Sequence, residues 1–190
     1  MTTLGFIVKS ARRHEQAVLL RSSMCILYAH WEGFIKSAAM AYVNLVARQG
    51  LRYLDLSPSF VALALRSQIQ RAGQSNQSEL HNALVGQFLL KQSEKPQIDA
   101  DNSIDAKSNL NMDVLRNILA SLGIDEKSYL MKGPIIDQKL LGNRNPIAHG
   151  HPIPIDIAEY SSLQTDVISI AELFKTDVEN SALNSSFKRT

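Results

Sequence analysis

An all-α fold follows from three features of this 190-residue sequence. Apolar residues recur at three- and four-residue spacing along most of the chain, the period of one face of a helix. No alternating strand pattern extends beyond a few residues. Serine, asparagine and aspartate stand where apolar runs begin, and glycine where several end. The expected architecture is a single helical domain over 1–180, a bundle of four or five main helices. A surface loop at 92–109 lies within it and a polar tail at 181–190 comes after it.

The bulk properties set limits on function. A chain of this length has room for a proper core. Its formal net charge is only +2, which argues against a broad basic face wrapped in nucleic acid but leaves room for a narrow cleft with a few arginines. A single cysteine, Cys25, excludes an intrachain disulfide framework and a cysteine-based zinc site, and fits a reducing cytoplasm. Lys9, Arg12, Arg13 and His14 are not followed by the apolar run and cleavage site of a signal peptide. The richest apolar stretch, Met24 to Tyr28, falls far short of the roughly eighteen residues a membrane span requires. A soluble, cytoplasmic protein with no membrane partner is expected.

From Phe6 to Arg48 the spacing of Leu20, Met24, Leu27, Trp31, Ile35, Ala38, Tyr42 and Leu45 predicts one long helix ending at Gly50, or two nearly collinear ones breaking around Leu20 to Ser23. Gly33 within it would let a neighbouring backbone approach closely, at a cost of roughly 1 kcal/mol in helix propensity. Ser57-Pro58 reads as a capped start with proline in the first turn, ahead of Val61, Leu65 and Ile69. Ser78 can cap a helix bearing Leu80, Leu84 and Phe88. Asn111 can cap Val114, Leu115, Ile118, Leu119 and Leu122, with Gly123 as the stop. Gly133-Pro134 opens a helix that carries Ile136 and Leu140 into Asn143-Arg144-Asn145-Pro146-Ile147-Ala148-His149-Gly150. Prolines 152 and 154 force an extended passage. Asp156 with Glu159 resembles a capping box, and Tyr160, Leu163, Val167, Ile170 and Phe174 form the last stripe.

The run from Asn143 to Gly150 is where chemistry concentrates. Arginine and histidine are the minimum equipment for cutting RNA without a metal, because the substrate's own 2′-hydroxyl can attack the adjacent phosphate. Histidine titrates near neutral pH and suits proton transfer. Arginine stays charged, and its planar fork matches phosphate oxygens. Five residues turn a straight helix by roughly 140°, so Arg144 and His149 would face different sides; seven would bring His151 nearly in line with Arg144. Pro146 cannot bond back to Gly142, so the helix should kink or end there. Either a kink gathers the two side chains, or a second copy completes the site about a two-fold axis. The second arrangement, with a kink as well, is the expectation. No His/Asp/Glu cluster and no glycine-rich phosphate loop is present, so neither a metal nor a cofactor is expected.

By itself an Arg/His pair at this spacing is weak evidence, since chance supplies such pairs readily. The wider context is more specific. The sequence resembles the HEPN superfamily, whose signature is an arginine followed after four to six residues by a histidine. It looks most similar to the RiboL-PSP-like branch, in which a run like Arg144-Asn145-x-Ile147-Ala148-His149-Gly150 recurs. Leu27-Tyr28-Ala29-His30-Trp31-Glu32-Gly33-Phe34-Ile35-Lys36, and Ser108-Asn109-Leu110 leading to Leu122-Gly123-Ile124, resemble the same branch, so the likeness covers most of the chain. It implies a helical bundle that dimerises through the motif, ribonuclease activity of a toxin, abortive-infection or restriction type, and a possible antitoxin or other defence-system partner. By position Arg144 and His149 match the catalytic pair, and Asn145 the polar residue beside the arginine. Some members carry a tyrosine two residues after the histidine, which a partner enzyme modifies. Here that position is His151, so silencing by this route is not expected. Other members have lost catalysis and serve as binding modules.

Plainer readings stand beside these. Arg144 could bond free helix-end carbonyls or pair with a carboxylate, and His149 could interact with the helix dipole before a glycine cap. His151 could be a loop histidine, and Asn145 the residue that turns the chain before proline. Glu32 could pair with Lys36 on the helix surface, or orient Arg144 or His149 from the neighbouring helix. His30 and Tyr28 are further candidates for the cleft, while Trp31 reads as core.

Overall fold

The computed structural model describes residues 7–8, 10–104 and 109–189, without the side chains of 101 and 102. Phe6, Lys9 and Ser108 lie outside the described residues. The chain is all-α: α1 is Arg13–Arg48, α2 Pro58–Ala64, α3 Arg66–Gly73, α4 Ser78–Leu90, α5 Ala100–Ser103, α6 Met112–Leu122, α7 Gly142–Ala148 and α8 Ile157–Leu183. Turns of 3₁₀-helix lie at Tyr53–Asp55 and Lys127–Lys132, and a π-helix spans Pro134–Leu141. The extended pairing among the described residues is an isolated bridge between Leu56 and Lys188. None of these helices is long and apolar enough to cross a membrane.

The chain forms two compact units. The first comprises Met1–Ile35, Lys107–Leu115 and Lys127–Phe174; the second comprises Lys36–Ala106, Arg116–Glu126 and Lys175–Thr190. The first contains Arg144, His149 and the other residues singled out beside them.

In the first unit, α1 runs unbroken past the suspected interruption at Leu20 to Ser23. Within it the buried Ser23 hydroxyl donates to the Leu19 carbonyl one turn back at 2.7 Å, which satisfies it without breaking the helix. Leu20, Met24, Leu27, Trp31 and Ile35 are buried as expected. Beyond Ile35, in the second unit, the buried positions are Ala39, Tyr42, Val43 and Val46, and Leu45 is exposed. One helical turn from Ile35 ends between residues 38 and 39, so apolar spacing alone could not choose between the two. Gly33 is exposed, and nothing lies within 4 Å of where its Cβ would sit, so the expected close approach does not occur among the described residues.

Two of the four capping residues read from the sequence act as caps. Asn111 Oδ1 accepts from the Val114 amide at 2.9 Å, and Asp156 Oδ1 from the Ala158 amide at 2.7 Å. Ser57 instead places its hydroxyl 3.0 Å from that of Ser59, with Pro58 in the first turn. Ser78 lies inside α4 and Gln77 takes the cap position. Tyr160, Leu163, Val167, Ile170 and Phe174 are all buried along α8.

The second unit departs further from expectation at two segments. The expected surface loop 92–109 contains α5, with Ala100 and Ile104 buried, and the Arg66 guanidinium bonds the Ser103 carbonyl. The expected polar tail begins inside α8, which reaches Leu183, and then turns back through Ser185 at φ 54°. Phe187 is buried, its ring 6.4 Å from Tyr42 and 6.5 Å from Phe60 in edge-to-face contact. Its carbonyl accepts from the Ser57 amide at 2.8 Å. A lone phenylalanine among polar residues has no period to betray it.

Gly123 ends α6 with paired bonds, Ile124 N–H to the Leu119 carbonyl at 2.9 Å and Gly123 N–H to the Ala120 carbonyl at 3.2 Å. Its φ is +70°, and a Cβ there would lie 2.8 Å from Ser59 Oγ. Both strain and contact oppose a side chain. Gly123→Ala is expected to lower stability by about 2 kcal/mol, read from the shift in urea unfolding midpoint at unchanged slope.

Candidate functional site

The segment that presents Arg144 begins in the π-helix. Ile136, Leu140 and Leu141 bury its inner face, and the Gly142 amide reaches back five residues to the Asp137 carbonyl. Wider turns of this kind shift the next residues of a helix away from their regular positions, and they occur often at functional sites. They therefore help set where the side chains of α7 point. Pro146 sits inside α7, which continues to Ala148. The chain then closes at Gly150, with φ +82°, through bonds from His151 N–H to the Pro146 carbonyl at 2.9 Å and from Gly150 N–H to the Ile147 carbonyl at 3.0 Å. The helix thus ends at the glycine, after the proline.

Arg144 is half-buried and held on three sides by uncharged groups. Its guanidinium carbon lies 4.4 Å from the centroid of the Tyr28 ring. Its Nη1 donates to Asn109 Oδ1 and to Asn145 Oδ1, each at 2.9 Å. Among the described residues no carboxylate pairs with it and no helix-end carbonyl accepts from it. Neither plainer reading of this arginine is met among the described residues. The Nη2 and Nε donors have no protein partner among the described residues.

The cradle is itself fixed to α1. Tyr28 Oη accepts from the Leu110 amide at 2.8 Å, and Trp31 Nε1 donates to the Leu110 carbonyl at 3.4 Å. Two side chains of one helical turn thus grip both polar groups of the residue next to Asn109. The Tyr28 hydroxyl also bonds the Glu32 carboxylate. Burial first, and then Glu32, push the Tyr28 pKa up to about 12, against the opposing pull of the Leu110 amide and the Arg144 charge. Since Tyr28 ionises at a higher pH folded than unfolded, its contribution to stability is present below pH 10 and is lost as pH rises from there to about 12. Tyr28→Phe keeps the ring under Arg144 but strands the Leu110 amide. A loss of about 1–2 kcal/mol at neutral pH is expected, with a shallower decline in stability above pH 10, measured by denaturant titration at each pH.

His149 occupies the C-cap position of α7 and is exposed, with no hydrogen bond to its imidazole among the described residues. That is the position the dipole reading assigns it. Arg144 turns inward to Tyr28 while His149 faces solvent, and no hydrogen bond joins them. His151 is also exposed, and its backbone alone is engaged. His30 is exposed too. Asn145 does meet Arg144 directly. Glu32 reaches it at one remove, through Tyr28. The residue that sequence reasoning missed is Asn109, which lies 35 positions from Arg144; its place in the Ser108-Asn109-Leu110 stretch was the available signal.

An all-helical chain whose motif arginine is lodged on the tyrosine of a second motif stretch has the makeup of a HEPN domain. The chain belongs to the MAE_28990-like HEPN family, whose model matches residues 3–187. That match names this family and not the RiboL-PSP-like branch. No curated protein and no solved structure matches the chain.

Proposed function

We propose that this HEPN protein is a metal-independent endoribonuclease that uses Arg144 and His149 on the phosphate next to a 2′-hydroxyl. The observation that carries the reading is the neutral cradle of Arg144: one ring face and two amide oxygens hold it. Among the described residues no carboxylate pairs with the guanidinium directly; Glu32 is one group away, on the Tyr28 hydroxyl. A fixed guanidinium without a direct carboxylate partner and with free donors is a receptor for a phosphate oxygen, and it is strongest where charge builds in the transition state. The 2′-oxygen forms a bond to phosphorus and gives its proton to His149. The bond to the 5′-oxygen breaks, and that oxygen takes up a proton as it leaves. The products are a 2′,3′-cyclic phosphate and a 5′-hydroxyl.

The opposed directions of Arg144 and His149 favour a site completed by a second copy of the chain, in a homodimer. Asn145 and Asn109 position the arginine, Glu32 supports it through Tyr28, and His151 lies close enough in the chain to take part in proton transfer. A role as a toxin or phage-defence nuclease, held in check by an antitoxin or another defence-system partner, rests on the family and on the likeness of the motif stretches to the RiboL-PSP-like branch. One observation favours a rival reading. The imidazole of His149 has no orienting partner among the described residues, as suits a non-catalytic module that binds a nucleotide or a protein partner through Arg144.

Purified protein incubated with RNA in EDTA separates the two. Cleavage that leaves cyclic phosphate ends and falls at least about 100-fold in His149→Ala supports the nuclease. His149 is exposed, so that variant should fold normally. Nucleotide binding without cleavage, or cleavage that EDTA abolishes, would sink it.

A further inference from the structure

The second unit contains an open groove of about 480 Å³, within the range of roughly 300–1,000 Å³ typical of small-ligand sites. Leu65, Ile69, Leu84, Val85, Phe88 and Leu89 are among its lining residues. Four of them are unusually exposed for their size: Ile69 at 42%, Phe88 at 50%, Val85 at 54% and Leu89 at 60%. Helix α4, which supplies most of these, has no buried residue at all. Apolar side chains gathered around a concavity, on a helix that contributes nothing to the core, call for an occupant.

The charge around the groove says which kind. No acidic residue lines it, and its one charged side chain is Arg189. The main chain at Arg189 is held by its own amide, which donates to the Asp55 carbonyl at 2.9 Å, while its side chain is exposed. The Asp55 carboxylate is the obvious candidate to neutralise Arg189, but it is already taken. Arg52 grips it with two bonds, Nε to Oδ2 at 2.8 Å and Nη2 to Oδ1 at 3.1 Å. Arg189 is left with no carboxylate partner among the described residues.

We propose that this groove binds a free medium-chain aliphatic carboxylate, with the chain along α4 and the head group on Arg189. A single cation beside an apolar slot suits one anionic head on one aliphatic tail. A docked protein helix would bring a broader and more varied set of charges than this lining matches. The site is separate from Arg144 in sequence, lining and chemistry, and its test is independent of the nuclease reading.

The test is calorimetric titration of the full chain with decanoate, octanoate and decanol, below their aggregation limits. Decanoate should bind at one site. Octanoate, two methylenes shorter, should bind about fifteenfold more weakly. Arg189→Gln should weaken decanoate about tenfold and leave decanol unchanged. Ala62 is exposed and lines the groove, so Ala62→Trp should fill it and abolish binding with the helical circular dichroism unaltered. Failure of decanoate to saturate a single site overturns the proposal, as does undiminished binding in Ala62→Trp. Equal affinity for decanol and decanoate in the wild type removes the carboxylate assignment. Saturation by an amphipathic peptide in place of decanoate makes the groove a protein-docking surface and overturns it as well.

Discussion

Arg144→Lys is expected to lose RNA cleavage nearly as completely as Arg144→Ala, each lowering kcat/KM by about 10³-fold. Conserving the charge is not enough, because the cradle is built for a plane. The guanidinium lies against the Tyr28 ring and shares Nη1 between Asn109 and Asn145. An ammonium offers no flat face to stack and no fork of parallel donors for a phosphate. Lysine therefore keeps the field at the site but loses both the fixed position and the paired donors. Asn109→Ala should fall between, since the ring and Asn145 still hold the arginine after one acceptor is gone. The measurement is steady-state cleavage of a defined RNA, with thermal unfolding of each variant to confirm that the fold persists. Full activity in Arg144→Lys would mean that the arginine contributes charge alone. Full activity in Arg144→Ala would remove it from the reaction.

Interactions that neighbouring residues decide among themselves could be read in advance. Asn111 and Asp156 announce their helices because a cap needs only the next few amides. Gly123 and Gly150 announce stops because a left-handed turn favours glycine. The stripe from Tyr160 to Phe174 follows from helical period alone. Features that depend on partners far along the chain could not be read. Asn109 meets Arg144 because the peptide next to it is gripped by Tyr28 and Trp31, and no local pattern encodes that. The polar composition around Ile104 and Phe187 hid the burial of both. Sequence spacing likewise placed a helix at Gly133-Pro134 but gave no sign that its turns would be wide. The candidate site was therefore legible as a set of residue types. Its assembly around one arginine was not.

Co-expressing Arg144→Ala and His149→Ala chains is expected to restore about a quarter of wild-type cleavage, although each variant alone falls at least about 100-fold below it. The expectation comes from the direction of the two side chains. Arg144 is turned against α1 while His149 is exposed at the end of α7. Five helical residues separate them by roughly 140°, and the helix runs through Pro146 to Ala148 without gathering them. A two-fold partner can supply the missing side chain to each receptor, since a symmetric dimer repeats every gap and every donor. In such a dimer each site takes its arginine from one chain and its histidine from the other. A mixed dimer then has one site that carries both substitutions and one that carries neither. Random pairing makes about half of the dimers mixed, and each of those has one live site in two. If Arg144 and His149 served the same site from one chain, every site in the mixture would lack one of them, and no activity would return. Recovery near a quarter thus supports the shared site and both residue assignments together. Absence of recovery, with mixed dimers verified by differential tagging, confines the chemistry to one protomer and requires His149 to swing from solvent toward Arg144.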